Sequence, residues 1–434
     1  MVYVLAGVLT GLLLLSYWQN KGDLTAPSFL FSLSFLFSCV WACIYAPKWE
    51  LDMHTNTFYV IFGGVLEFIV VSQIIHVFSN IRRRKKDWIY KQILPIEIQK
   101  GKLIAFIALE ILVILATAYY LLRSIGAANL ANAIFLYRYG DISENIRMPG
   151  MLNILRTCVN ASGYWFSYVL INNLIAKKKL DLYPLVIILL ALVNTVVVGS
   201  RGNVLYVLIS MIIIYYILFH RNSANTGKQL RFRSVLISVV VLIAVVLSYQ
   251  SLGNLLGRNS TANSIDYLAT YCGAEIKNLD MMLQRDIFGK SKIFGAQTFI
   301  NMYRWMGARL GGIDVSEIKF ALSFISINGY NLGNVYTIFY PMIYDFGYQG
   351  IFFLILLMAC IAQWIDERVK RSSSNHELQI VLVVYAYMAN AIIFSFFSNK
   401  FYEQIFSAVF IYSLIFWGLF QLFFIRIRFR IGKK

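Results

Sequence analysis

The chain has 434 residues, of which 59% are hydrophobic and 14% charged, against roughly 25% charged in an ordinary soluble domain. This composition excludes a soluble globular protein and predicts a polytopic membrane protein. A net charge of +18 would suggest nucleic acid in a soluble chain, but retention of basic residues on one membrane face and attraction to anionic lipid account for most of it here, so no nucleic-acid role is expected.

The first apolar run, residues 2–18, has no basic region before it and no small-x-small cleavage site before Asn20, so it is expected to be a retained span. Further runs long enough to cross about 30 Å of hydrocarbon fall at 26–45, 56–78, 103–122, 151–175, 182–198, 203–219 and 234–249. A long broken run covers 335–365, followed by 378–397 and 404–425. The expected fold is therefore all-α with about 11 transmembrane helices. Residues 1–250 carry spans one to eight, 251–333 form one large, partly helical loop, and 334–434 carry the last three spans and a basic tail.

Basic residues collect on the cytoplasmic side of membrane proteins. Arg82, Arg83, Arg84, Lys85 and Lys86 form one cluster, Lys177, Lys178 and Lys179 a second, and Arg221, Lys228, Arg231 and Arg233 a third. Arg368, Lys370 and Arg371 and the tail from Arg426 to Lys434 complete the set, and all fall on one side of the expected topology. The amino terminus is then outside and the carboxy terminus cytoplasmic. The 251–333 loop is outside as well, with the shorter loops 46–55, 123–150, 199–202 and 398–403.

Cys39, Cys43, Cys158 and Cys360 lie in spans and Cys272 alone lies in the large loop, which argues against a disulfide framework. Within that loop Ile265, Leu268, Cys272, Ile276, Leu279 and Leu283 recur at helical spacing and predict one amphipathic helix resting on the spans. Gly273, Lys277, Asp280 and Gln284 share one flank of it, and Tyr271, Glu275, Asn278 and Met282 the other. These flanks can point polar groups into a cavity, or Lys277 and Asp280 can form a plain i,i+3 pair on a solvated face.

Beyond it come Phe288-Gly289-Lys290, Phe294-Gly295 and an aromatic, basic run with Tyr303, Arg304, Trp305 and Arg309. Rings beside cations suit sugars carried on phosphate, because sugar C–H groups stack on aromatic faces while guanidinium groups hold oxyanions. They suit a helix at the headgroup interface equally well. Arg258 follows the eighth run, and Arg201 sits in the tight turn Gly199-Ser200-Arg201-Gly202, near the membrane surface, where a guanidinium needs an anionic partner. Lipid phosphate and a substrate diphosphate both qualify. The long run 335–365 is expected to break at Pro341 or Gly347, placing Asp345 at the junction of a surface helix and the true span.

Gly199-Ser200-Arg201-Gly202 between two spans, Tyr271 to Leu283 in the large loop, Phe294-Gly295 with Thr298-Phe299, and Asn334-Val335-Tyr336-Thr337 with Asp345-Phe346-Gly347 resemble, in that order, the Wzy-type oligosaccharide repeat-unit polymerases that make bacterial O-antigens and related capsular or exopolysaccharides. The resemblance implies a GT-C-like glycosyltransferase in the bacterial cytoplasmic membrane. It would transfer a growing glycan from one undecaprenyl diphosphate to the repeat unit on another, with membrane lipid and a chain-length regulator protein as further partners. The Arg-x10-Gly pattern of some members is absent, since Ala269 and Cys158 stand where glycine would follow Arg258 and Arg147.

The residue types define the expected chemistry. A lipid diphosphate is already a good leaving anion, so cations matter more than a general acid. Arg201, Arg258, Arg304 and Arg309 are the candidates, with Lys277, Tyr271 and Tyr336 in glycan or diphosphate binding. A base for the acceptor hydroxyl is expected among Glu275, Asp280 and Asp345. His220 and His376 are cytoplasmic, His76 lies low in span three, and His54 stands alone in the first outer loop, so histidine is set aside. The acidic pair in Glu50-Leu51-Asp52 is more simply a solvated loop than a metal site, and no metal or other cofactor is expected. An O-antigen ligase shares the same donor, and a flippase or transporter of lipid-linked glycans is the alternative outside enzymes.

Overall fold

The computed structural model describes residues 1–81, 93–142, 148–177, 179–226, 253, 263–285, 293–309, 318, 322–372 and 375–427. In chain order the helices are α1 (Val2–Gln19), α2 (Pro27–Tyr45), α3 (Thr55–Ile81), α4 (Lys100–Ile125), α5 (Leu130–Ile142), α6 (Gly150–Lys177), α7 (Leu182–Val196) and α8 (Gly202–Thr226). They continue as α9 (Ser264–Cys272), α10 (Ala274–Gln284) and α11 (Ile300–Arg309). A hairpin of β1 (Ile325–Ile327) and β2 (Tyr330–Gly333) precedes α12 (Phe339–Phe346), α13 (Tyr348–Arg371), α14 (Asn375–Ile393), α15 (Lys400–Ile405) and α16 (Ala408–Phe420). The chain is nearly all-α, and the hairpin is the departure from the expected class.

Among the described residues, eight helices are long and apolar enough to cross a membrane, in α1, α2, α3, α4, α8, α13, α14 and α16. The other expected spans fall outside that set for distinct reasons. Residues 234–249 lie outside the described residues. Helix α7 is apolar but short. Helix α6 has 28 residues, yet Arg156, Thr157, Ser162, Ser167, Asn172 and Asn173 are buried along it, so its polarity is turned to protein rather than lipid.

Two compact units interleave along the chain, and the large loop is not a unit of its own. The first comprises Met1–Asp87, Ala262–Arg371 and Met388–Phe410. In it α3 packs along α13 and α2, α1 lies on α2, and α9 and α10 rest against α2. Phe31 stacks on Phe68 with ring centroids 4.5 Å apart, and Phe35 meets Phe339 at 5.2 Å. Outward side chains such as Trp18, Ile44, Phe78, Phe352 and Phe353 are exposed, as an apolar lipid-facing belt requires.

The second unit comprises Trp88–Thr261, Ser372–Tyr387 and Ile411–Lys434. Val113, Val159 and Ala191 join α4, α6 and α7, while Leu121, Ala133, Ile134, Tyr137, Val197 and Val198 bring α5 onto the turn after α7. Trp417 donates its ring N–H to the Ala161 carbonyl at 2.9 Å, fixing α16 to α6 without an unpaired indole.

The expected break in the 335–365 run falls at Gly347, whose φ of +67° and ψ of −167° no helix can contain. Pro341 sits in the first turn of α12, where its missing N–H removes no helical bond. The expected single amphipathic helix over 265–283 is instead two helices meeting at Gly273. A Cβ on Gly273 would lie 2.8 Å from the Ala42 amide nitrogen and from Trp41 Cβ, so α2 pushes directly into the joint. The hairpin turns through Asn328 and Gly329, both at positive φ (+49° and +77°), the two-residue geometry that suits the twist of paired strands.

Candidate functional site

The first unit gathers polar groups around α10. All of residues 272–280 are buried and only Gln284, at the end of α10, is exposed, so the polar flanks are turned to protein and the alternative of a solvated face with a Lys277–Asp280 pair is not what forms. Lys277 and Asp280 do not form the expected pair. Lys277 instead sends its ammonium to the Glu50 carbonyl at 2.7 Å, and Asp280 turns to the start of α3. Asn278 donates to the carbonyls of Leu332 and Val335, each at 2.9 Å, tying α10 to the hairpin.

The turn between α2 and α3 explains this arrangement. Trp49, Leu51 and Met53 point inward while Glu50, Asp52 and His54 alternate outward, in an extended segment laid against α10. Asp280 accepts the His54 backbone N–H at 2.9 Å and the Thr57 hydroxyl at 2.6 Å on one carboxylate oxygen. The other oxygen takes Gln284 Nε2 at 2.9 Å and faces His54 Nδ1 at 3.2 Å. A carboxylate at the first turn of α3 satisfies orphan donors and suits the helix dipole. His54 is therefore not alone, contrary to the sequence expectation. Its partner lies 226 residues away and no local pattern could have announced it.

Glu275 differs from its neighbours on the same helix. It is fully buried, and neither carboxylate oxygen has a hydrogen-bond partner among the described residues. Burial pushes its pKa well above the carboxylate range, against a weaker opposing effect of its own backbone amide. The acidic pair of the turn forms no cluster either, since Glu50 accepts Asn328 Nδ2 at 2.9 Å, and among the described residues no group of acidic, His or Cys side chains could hold a metal ion.

Asp345 occupies the last turn of α12, at the expected junction, but its partners are backbone amides. It accepts Gln297 N–H at 3.1 and 3.2 Å and Thr298 N–H at 2.6 Å, and burial still raises its pKa despite these bonds. The 294–298 turn is thereby pinned to α12, reinforced by Phe294 against Phe346 at 4.9 Å. Asn399 donates to the Thr298 carbonyl at 2.8 Å, and Thr337 N–H reaches the Phe397 carbonyl at 3.3 Å. Thr337 is buried with φ of +62°, a strained setting for a β-branched residue, of the kind that clusters at functional sites.

The aromatic candidates also find places here. Tyr271 stacks on Phe397 at 6.0 Å and 15°, and the Tyr336 hydroxyl donates to the Ser323 carbonyl at 2.7 Å. Tyr336, Tyr340 and Tyr344 form a ladder with successive centroids 5.0 and 5.6 Å apart. Thus Phe294-Gly295 and Asp345-Phe346-Gly347, distant in sequence, meet directly, and the 397–399 segment bonds to both Thr337 and Thr298.

The cations divide. Lys277 belongs to the α10 group. Arg304, on α11, is half-buried and reaches the Asn301 side-chain oxygen at 3.4 Å. Arg201 is buried in the second unit at the start of α8, against Gly253, where a Cβ would come within 2.2 Å of the guanidinium. Arg258 and the Arg309 side chain lie outside the described residues. No family model matches the chain, and neither a curated protein nor a solved structure matches it.

Proposed function

We propose that this chain is a GT-C-like membrane glycosyltransferase that polymerises undecaprenyl-diphosphate-linked oligosaccharide repeat units into O-antigen or capsular or exopolysaccharide. The work takes place on the outer face of the bacterial cytoplasmic membrane, with the amino terminus outside and the carboxy terminus inside. The observation that carries this reading is the concentration of Glu275, Lys277 and Asp280 on one buried helix, folded over the α2–α3 turn. The basic clusters assign that end of the unit to the outside.

The supporting chemistry is that of glycosyl transfer from a lipid diphosphate. Lys277 offers a buried ammonium bonded to the Glu50 carbonyl, and Arg304 and Arg309 are further cations of the same unit for the diphosphate. Arg201 and Arg258 are candidates from the sequence pattern. Such groups stabilise charge that develops as the glycan leaves. The tyrosine ladder from Tyr336 offers faces on which sugars stack. A chain-length regulator protein and membrane lipid are the further partners of this reading.

Deletion and complementation test it. Cells lacking a polymerase display single repeat units and no long polymer, and Arg201→Ala complements to the same phenotype while still inserting. A bare lipid A core in the deletion strain would assign the chain to ligation, and lipid-linked units retained on the cytoplasmic face would assign it to flipping.

A further inference from the structure

We propose that His54 and Asp280 form a proton-accepting pair, in which the His54 imidazole takes the proton of the acceptor sugar hydroxyl and Asp280 holds and charges-balances the ring. The inference rests on the polymerase reading above and names the base that the reading lacks. None of the three carboxylates fills that role. Glu275 is fully buried, Asp345 is occupied by the amides of Gln297 and Thr298, and Asp280 is buried behind four contacts.

His54 supplies what they do not. Its side chain is 54% exposed while that of Asp280 is 0% exposed, so the ring lies between a buried carboxylate and solvent. In the proposed tautomer Nδ1 donates to Asp280 Oδ2 across 3.2 Å; in the other, Nδ1 would accept from the Gln284 amide beside it. The Gln284 amide donates to the same oxygen and lies against Nδ1, fencing the ring on that side. Nε2 then carries the free lone pair. This is the general logic of a carboxylate that fixes the tautomer of a histidine base and stabilises the imidazolium.

The backbone holds the arrangement without relying on the ring. Asp280 also accepts the backbone N–H of His54 and the Thr57 hydroxyl, so it stays in place when the imidazole is removed. The titratable and charged residues on the elements that meet there are Lys48, Glu50 and Asp52 of the turn, Glu67 and His76 of α3, and Glu275, Lys277, Asp280 and Arg285 of α10 and its end. Lys277, directed at the Glu50 carbonyl, places a cation on the same helix one turn from Asp280.

The step balances without a cofactor. The acceptor hydroxyl oxygen forms a bond to the anomeric carbon of the donor, and the bond from that carbon to the diphosphate oxygen breaks. Undecaprenyl diphosphate leaves with the bonding pair. The hydroxyl proton passes to His54 Nε2 and from the exposed ring to water.

The test uses the full chain in detergent or proteoliposomes, with lipid-linked repeat units extracted from cells that lack it. His54→Gln is expected to lower kcat by roughly 100-fold or more with little change in KM. Added imidazole should restore part of the rate to His54→Ala. Asp280→Asn should lower kcat and move the acidic side of the pH–rate profile to lower pH, because the imidazolium loses its counter-charge. A His54→Gln enzyme with wild-type kcat and pH profile, beside a wild type that polymerises, overturns the pair alone. A well-folded wild type that makes no polymer from these units overturns the polymerase reading and the pair's role with it.

Discussion

Glu275→Gln isolates the consequence of burying a carboxyl without partners. The unfolded chain releases this proton near the ordinary carboxylate value, whereas the folded chain keeps it to a much higher pH. Between those values the folded state binds one proton more than the unfolded state. This group's contribution to stability is therefore full below the ordinary value and falls as pH rises through the window, by about 1.4 kcal/mol per unit. As pH rises from the ordinary carboxylate value, wild type should lose stability steadily relative to Glu275→Gln, whose amide does not titrate. Glutamine keeps the size and the unpaired polar atoms, so the burial cost common to both side chains cancels. Denaturant or thermal unfolding of the purified protein in one detergent, across that pH range, reads the difference directly. Parallel stability curves for the two proteins would refute the reasoning, because they would mean that Glu275 is solvated or paired. The same variant should make normal polymer, since His54 and not Glu275 is the proposed base.

Gly273→Ala should destabilise the first unit by about 1–3 kcal/mol, since the new methyl would press on backbone rather than on a yielding side chain, and a melting point equal to wild type would refute the close approach to α2. A reporter fused after Asn301 should report the outer side of the membrane, and a cytoplasmic signal would overturn the orientation drawn from the basic clusters.

The hydrophobic length of a span is a local property, which is why α1 to α4 and α13 were legible within a few residues. The break at Gly347 was legible for the same reason, since glycine states its backbone freedom in the sequence. Gly273 made the same kind of statement, but the apolar stripe from Ile265 to Leu283 keeps helical spacing straight through it. What breaks the helix is Trp41 and Ala42, far away in the chain. The hairpin did carry a local signal, Asn328-Gly329 between Ile325, Ile327 and Tyr330, Leu332. The polar partners were the least legible part. Lys277 and Asp280 stand at a spacing that favours pairing within a helix, yet both found better partners in the α2–α3 turn, which only tertiary packing supplies.

The ionisable groups at the other end of α3 sharpen the contrast between one-sided chemistry and transport. His76 lies roughly 30 Å along the helix from Thr57, with Nδ1 at 2.6 Å from Glu367, which also accepts the Ser79 hydroxyl at 2.7 Å. Lys370 bridges Asp366 at 2.7 Å and Asp23 at 2.9 Å. These charges close on one another across α3, α13 and the α1–α2 turn, and a buried set satisfied in this way serves to lock helices in register. An alternating-access carrier needs charges that exchange partners near the middle of the membrane. Around α10 the opposite holds, because Glu275 lacks a hydrogen-bond partner among the described residues and His54 opens to solvent beside the buried Asp280. Unspent polar capacity at one end and closed pairing at the other fits the proposed one-sided chemistry better than the transport alternative.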